Sequence, residues 1–550
     1  MIHSIADFRL KKLINYVDWK LLLFLLLFLN VKLAVKIPAI IIIYLLRFNF
    51  RFGFSIKNSR LPLFYLLIIA IALSGLFING NYSNANYMLL FLNGLVFWVL
   101  CLLAVHQVKL SVENNTIETV KNTILTFFVI NAFVSFFNIA LIMWETGAIN
   151  PYRYQGEYQK YFIGTGDYIK GLTFDTSTTN AVLNAFGVIY SLTLKKPVMV
   201  LLCMAVLLLT GSNFINLALL IILAVLFLVN STKDQKSLIV ICVVFLVVFM
   251  AKVSPQNNQY AAETFKNIIH PSRPPFPKTA VINATAITKG RPDTIRRKIA
   301  HQYLDSIYNA SNKNPINNPV KAALPVAKTV QGRIIIAEPD INTKPYQTPT
   351  DTVPQQRKLL TFINQHKGKL PISGEASFFP GLPGKALALL QSLKFFQCHP
   401  VKIIAGDGMG NFSSKLAFKA TSLGFAGKYP ARFTYINNDF LTNHLDIYLN
   451  FFSKRAELHS LTNSPFSVYD QLFAEYGLLG LLAFAIFYIG FFTKHFKKLT
   501  YGLPVLMLML VAFFIDYWFE QLSVVVFFEL LLLLNIKETT SLKAVKYGRA

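Results

Sequence analysis

Three stretches of this chain combine residue types at spacings that could do chemistry. In the connection from Thr146 to Thr173, Arg153, Lys160 and Lys170 are interspersed with Tyr152, Tyr154, Tyr158, Tyr161 and Tyr168. Cations bind phosphate oxygens and aromatic rings cover the apolar faces of sugars, so the mixture suits a sugar joined to a phosphate. An interfacial aromatic belt with solvated lysines has the same composition. Asp175 follows as a candidate for binding or catalysis, ahead of Thr176, Ser177, Thr178 and Thr179, where a helix cap is expected. The second stretch, Gly406-Asp407-Gly408-Met409-Gly410-Asn411-Phe412, comes after the apolar Ile403, Ile404 and Ala405 and reads as opening onto a helix. Its glycines let backbone N–H groups approach an anion, which makes Gly408, Gly410 and Asn411 binding candidates. The spacing matches neither a P-loop nor a dinucleotide fingerprint, and a tight structural turn fits it equally well. The third runs from Arg455 through His459 and Tyr469 to Asp470 and Glu475. A histidine can act as a base near neutral pH, though a lone one is more often structural. Asp470 and Glu475 lie in the first turns of an apolar helix, a costly place for acids unless they face a polar cavity.

These candidates must be positioned by membrane helices. Of 550 residues, 54% are hydrophobic and only 14% charged, with a mean hydropathy of +0.48. That balance excludes a cytosolic enzyme, a secreted domain and a disordered scaffold, and it predicts an all-α polytopic membrane protein. The formal charge of +27 must then reside in loops and tails. A span needs about 20 apolar residues. Runs of that kind cover approximately 13–31, 33–48, 61–79, 87–107, 120–144, 176–194, 196–211, 213–230, 237–252, 467–491, 500–517 and 519–535, about twelve in all. The first two are separated by a turn, because Asn30, Lys32, Lys36 and Pro38 would otherwise fall mid-span at a cost of about 2.5–3.5 kcal/mol per lysine. Lys32 and Lys36 are then expected at the outer surface. Arg9, Lys11 and Lys12 precede the first run without a small-residue cleavage site, so a retained helix is expected rather than a signal peptide. Cys101, Cys203 and Cys242 lie in apolar runs and Cys398 in the polar segment, which offers no disulfide framework or zinc site. No metal or cofactor is expected.

Orientation follows from the basic residues. Arg47, Arg51, Lys57 and Arg60, the pairs Lys195–Lys196 and Lys233–Lys236, then Lys494, Lys497 and Lys498, and a tail with Lys537, Lys543, Lys546 and Arg549 fall on one side. The connections 80–86 and 211–212 on the other side are uncharged. Both termini are therefore expected in the cytoplasm. The chain divides into a membrane part at 1–252, an outer loop at 253–465 and a second membrane part at 466–550. Nine spans precede the loop, which parity places outside. Its 26 Lys and Arg against 11 acids do not oppose this, since long loops cross largely regardless of charge. Residues 253–356 read as mostly irregular, apart from a helix over 291–308. Residues 357–465 read as a helical cap with helices over 358–364, 385–396, 411–423 and 439–452. The last of these suits a place inside the cap or flat on the bilayer. No paired repeats occur.

The dozen spans, the large late loop, the GDGMGNF sequence at 406–412 and SVYDQLFAEYGLLGLLAF from Ser467 together resemble the O-antigen ligase and O-antigen polymerase family of bacterial envelope glycosyltransferases. The likeness covers most of the membrane part and the last third of the loop. It implies a GT-C-like, metal-independent enzyme in the inner membrane, whose loop is periplasmic and whose donor is an undecaprenyl-diphosphate-linked oligosaccharide. An acceptor hydroxyl attacks the sugar carbon bearing diphosphate. Arg153, Lys160, Lys170 and Arg455 would bind diphosphate, with His459, Asp470 or Glu475 orienting or deprotonating the acceptor. Membrane lipids and a chain-length regulator or another polysaccharide-assembly protein are the expected partners, and nucleic acid is not. Ligases usually carry His-Asn about nine residues before the glutamate, where this chain has Phe466 and Ser467. Relatives also commonly place Arg after Thr-Gly-Ser, where Asn213 follows Thr210-Gly211-Ser212. Both differences favour a polymerase or a divergent member. Ligation onto lipid A-core or another acceptor is the alternative, and transport or flipping of a polysaccharide is the alternative outside enzymes. The absence of paired repeats and the few ionisable residues in mid-membrane speak against transport.

Overall fold

The computed structural model describes residues 16–56, 59–153, 168–229, 231–254, 384–421, 429–437, 464–495 and 499–547, with residues 328–330, 333–335, 439–440, 444, 447 and 461 between them. A helix occupies each apolar run. In chain order these are α1 (Trp19–Phe28), α2 (Leu33–Leu46), α3 (Phe64–Ile78), α4 (Ala85–Asn114), α5 (Ile117–Thr146), α6 (Ser177–Thr193), α7 (Pro197–Leu209), α8 (Asn213–Val229) and α9 (Lys233–Val248). After the long connection come α10 (Gly384–Cys398), α11 (Lys402–Ala405), α12 (Lys415–Ala420), α13 (Val468–Ala483), α14 (Gly502–Ala512), α15 (Trp518–Gln521) and α16 (Ser523–Tyr547).

Four helical stretches are long and apolar enough to cross a membrane: Ala85–Asn114, Ile117–Thr146, Lys233–Val253 and Val468–Thr493. Shorter apolar helices accompany them. The ten residues of α1 rise about 15 Å, half of a hydrocarbon core. Large apolar side chains project outward, with Phe133 72%, Leu228 79% and Val247 59% exposed. Water would penalise such a surface, whereas lipid accepts it. The chain is a helical protein of membrane type.

The apolar body of α16 lies at the centre, with Val524 to Phe528 and Leu530 to Leu532 fully buried. It packs against α4, α6 and α14. Glu529 within it accepts a hydrogen bond from the Tyr65 hydroxyl at 2.5 Å. The turn between α1 and α2 falls where the lysines require it, with the Asn30 carboxamide accepting from the Lys32 N–H. Lys36, however, is not at a surface. It is buried inside α2, donating to the Phe28 carbonyl at 2.6 Å and the Ser523 hydroxyl at 3.1 Å over the Phe28 ring. Hydrogen-bond acceptors thus receive the ammonium that was expected to seek water.

Within the segment expected to be irregular, β1 (Lys328–Val330) pairs antiparallel with β2 (Arg333–Ile335), Lys328 opposite Ile335. The helix expected at 385–396 is α10. The one expected at 411–423 shortens to α12, capped by the Ser414 hydroxyl on the Ala417 N–H, because residues 410–414 turn their polar groups toward α13 instead. The helices expected at 291–308 and 358–364, and most of 439–452, lie outside the described residues.

One break governs how this segment docks. Gly477 has φ +65° and ψ −162°, so α13 is two helices joined at a kink. A Cβ at Gly477 would lie 2.5 Å from the Gly406 nitrogen and the Ile404 carbonyl oxygen, and one at Gly406 would lie 2.3 Å from the Glu475 carbonyl carbon. Only glycine permits both the left-handed backbone and this approach. Gly477→Ala should therefore cost on the order of 3 kcal/mol or more. Gly80→Ala, at φ +64° with open space around it, should cost about 1 kcal/mol. Thermal unfolding of the two purified variants checks this, and equal melting temperatures would contradict the docking role of Gly477.

Candidate functional site

The glycine-rich segment holds an acidic side chain of the protein itself. Glu475 is buried, and its two carboxylate oxygens accept from the backbone N–H groups of Gly410 at 2.7 Å and Phe412 at 3.1 Å. The Asp407 and Gly408 N–H groups donate to the carbonyls of Ala474 and Glu475, which the break at Gly477 leaves without helical partners. Convergent N–H groups of this kind solvate a buried carboxylate that would otherwise be costly. The Asn411 carboxamide donates to the Asp407 carbonyl and accepts from the Tyr435 hydroxyl. Met409 fills the space over Gly94 of α4, and Tyr87 donates to its carbonyl.

Asp470 is likewise occupied, accepting from the Ser392 and Ser413 hydroxyls at 2.7 Å each. Tyr469 donates to the Leu510 carbonyl. Lys385 donates to Ser464 and to the carbonyls of Phe466 and Ile515, and burial holds its amino group down at about 7 against the pull of Asp516 and Asp470. The acids at the start of α13 thus join α10, the glycine segment and α13 into one block.

A second cluster forms on the other side of that block. Lys415 and Lys419, one turn apart on α12, come within electrostatic reach of Asp175, Asp516 and Glu520. These five side chains each keep partial solvent contact, and the space among them forms a recess. Neither lysine makes a hydrogen bond or ion pair with a described residue. Burial alone would lower the Lys415 amino group, but the three carboxylates carry it above its ordinary value. Burial and the adjacent Lys415 hold Lys419 below its own.

The carboxylates differ in what remains free. Glu520 accepts from the Gln471 amide at 2.7 Å and the Leu416 N–H at 2.9 Å. Asp516 accepts from the Tyr517 N–H and the Gln521 amide. Asp175 accepts only from the Thr179 hydroxyl on Oδ2, so its Oδ1 takes no hydrogen bond from the described residues. Its loop is fixed from below. Asn131 of α5 accepts from the Leu172 N–H and donates to Asn180 of α6, Asn180 donates to the Ile169 carbonyl, and the Val31 N–H donates to the Thr173 carbonyl. Thr176 caps α6 through the Thr179 N–H, as its sequence suggests. Two of the three non-glycine residues with positive φ flank the recess, Phe174 at 50° beside Asp175 and Leu522 at 73° beyond Glu520. Strained backbone of this sort persists where its surroundings impose it.

Among the remaining candidates, Arg153 ends a short turn, Pro151–Arg153. The Lys170 ammonium lies over the Tyr168 ring at 5.9 Å. Lys160, Arg455 and His459 lie outside the described residues. Of the proposed set, Asp175 stands in the recess, while Gly408, Gly410, Asn411, Tyr469, Asp470 and Glu475 stand in the docking block. Lys415, Lys419, Asp516 and Glu520 escaped the sequence reading. The signal was present for two of them: Asp516 and Glu520 are acids four apart in an otherwise apolar stretch, a costly pairing that marks function.

Compared with protein-family models, with curated proteins and with solved structures, the chain matches none of them.

Next to the block, His444 is buried among Phe412, Phe418 and Phe440, with no hydrogen-bond partner at either ring nitrogen. Burial pushes its ring down to about 4. A depressed value means the neutral ring is the folded form, so its contribution is complete above the ordinary 6.5 and is lost as pH falls toward 4. The share of stability that His444 contributes should fall across that interval, so His444→Phe should lose less stability than wild type as the pH is lowered. Denaturation of both proteins between these pH values tests this; parallel losses would contradict it.

Proposed function

We propose that this chain is a bacterial inner-membrane glycosyltransferase that polymerises undecaprenyl-diphosphate-linked oligosaccharide repeats, without a metal cofactor. The observation carrying this reading is the cluster in which Lys415 and Lys419, with no hydrogen bond to a described residue, lie within electrostatic reach of Asp175, whose Oδ1 takes no hydrogen bond from the described residues. Lys415 and Lys419 would bind the diphosphate, whose charge they match and whose departure they would ease. Asp175 would accept the proton of the acceptor hydroxyl. The hydroxyl oxygen bonds to the anomeric carbon, the bond from that carbon to the diphosphate oxygen breaks, and undecaprenyl diphosphate leaves with the electron pair. Asp516 and Glu520 would hold the lysines apart and charged.

In this reading the apolar helices lie in the membrane with both termini in the cytoplasm, and the block carrying α10 to α12 faces the periplasm. Glu475 and Asp470 become positioning residues, which place α12 and its lysines over the bundle. Phe466 and Ser467, standing where ligases usually carry His-Asn, favour chain extension over transfer to a terminal acceptor.

A deletion strain should accumulate lipid-linked or capped single repeats, and full-length chain should restore long polymer. Lys415→Ala, Lys419→Ala and Asp175→Asn should each lower polymer by about a hundredfold or more while the protein remains in the membrane. Gel analysis of surface and lipid-linked glycans reads this. Long lipid-linked chains in the deletion strain would instead mean ligation, and an unchanged profile would contradict a transferase and return the transport reading.

A further inference from the structure

A polar cavity lies against the glycine-rich segment, and its lining shares no residue with the cluster of Lys415, Lys419, Asp175, Asp516 and Glu520. The cavity measures about 400 Å³ and is lined by Asn79, Asn81, Asn437, Asp407, Asp439 and Lys402, with Tyr435 beside them. That is within the size range of small-ligand pockets, about 300–1,000 Å³. Its lining is almost wholly polar, and its amides can both donate and accept.

The charges narrow the ligand class. The Lys402 ammonium contacts Asp407 at 2.6 Å and Asp439 at 2.8 Å, so two acidic side chains share the cation of this lining. A diphosphate or uronate would find that cation already engaged. A divalent metal would find the space between the carboxylates already filled by the ammonium. Asp407 nevertheless keeps an acceptor in reserve. It is 1% exposed, and its Oδ2 has no hydrogen-bond donor among the described residues, an expensive condition for a buried acidic group. A ligand rich in O–H or N–H donors would relieve it.

We infer that this cavity is a glycan-holding site, separate from the transfer recess, that binds a neutral or amino sugar through its ring hydroxyls. Asn79 and Asn81 offer amides from the connection after α3, Asn437 and Tyr435 face them from the segment after α12, and Asp407 accepts a sugar hydroxyl. Deepening and resting on the transferase reading, this site would grip a sugar of the glycan while its reacting end lies in the recess. Because Asp407 sits in the same segment that binds Glu475, a sugar held here would bear on the segment that positions α12.

The test uses the full-length protein in nanodiscs and, as probe, the oligosaccharide released by mild acid from the host's surface polysaccharide, with binding read by saturation-transfer NMR. Wild-type protein should give a signal from ring protons. Asn79→Ala and Asn81→Ala should each weaken binding about tenfold, the loss expected for one hydrogen bond to a buried polar site, and Lys415→Ala should bind as wild type. Having two separate asparagine variants keeps the test open should either fold poorly. Unchanged binding in both, absence of signal with wild-type protein, or displacement of the sugar by inorganic diphosphate would overturn the inference. Asparagine-dependent sugar binding in a protein whose deletion leaves cellular glycans unchanged would uphold the site and refute the transferase reading instead.

Discussion

The carboxylate of Glu475, held by two backbone N–H groups of the glycine-rich segment, is the contact from which the rest of the architecture follows. A carboxylate buried among apolar helices must find donors, and a helix that breaks at Gly477 must find partners for its last carbonyls. The segment from Gly406 to Phe412 meets both needs at once, because its glycines bring successive N–H groups against α13 at distances that a side chain would forbid. Asp470 extends the joint to Ser392 and Ser413, so the polar segment docks through buried hydrogen bonds as well as apolar contact.

That joint decides where α12 lies. Ser414, just past the Glu475 contact, caps α12, and Lys415 and Lys419 then project toward acids supplied by α15 and by the loop before α6. Three independent supports fix the opposing wall: the Asn131–Asn180 pair under the Asp175 loop, the Thr173 carbonyl joined to Val31, and Ser523 bonded to Leu29 and Lys36. The strained backbones of Phe174 and Leu522 sit in this wall. Two lysines held together in such a wall are a costly arrangement for stability alone, and preorganised positive charge is what a departing diphosphate would require.

Much of the helical layout was legible because apolar runs and the lysines that interrupt them report directly on membrane energetics. Lys36 was misread because its sequence neighbours could not reveal the Phe28 carbonyl and Ser523 hydroxyl that receive it, the latter 487 residues away. The glycine segment announced an anion site, and Glu475 announced a buried acid; what the spacing could not show is that each answers the other across 65 residues. Lys415 and Lys419 gave no sequence signal, since burial that depends on docking leaves no local pattern. Asp516 and Glu520 did leave one, as acids in an apolar stretch, and Asp175 was visible as an acid at a helix start. Their meeting depends on tertiary contacts among segments more than 100 residues apart in the chain.

The most direct measurement is transfer by the purified full-length protein in liposomes, supplied with a polyprenyl-diphosphate-linked oligosaccharide and followed by release of polyprenyl diphosphate. Wild-type protein is expected to release it together with lengthened glycan, and the Lys415→Ala/Lys419→Ala protein, folded to the same melting temperature, is expected to release almost none. Equal release by the two proteins would contradict the assignment of the recess as the place of reaction.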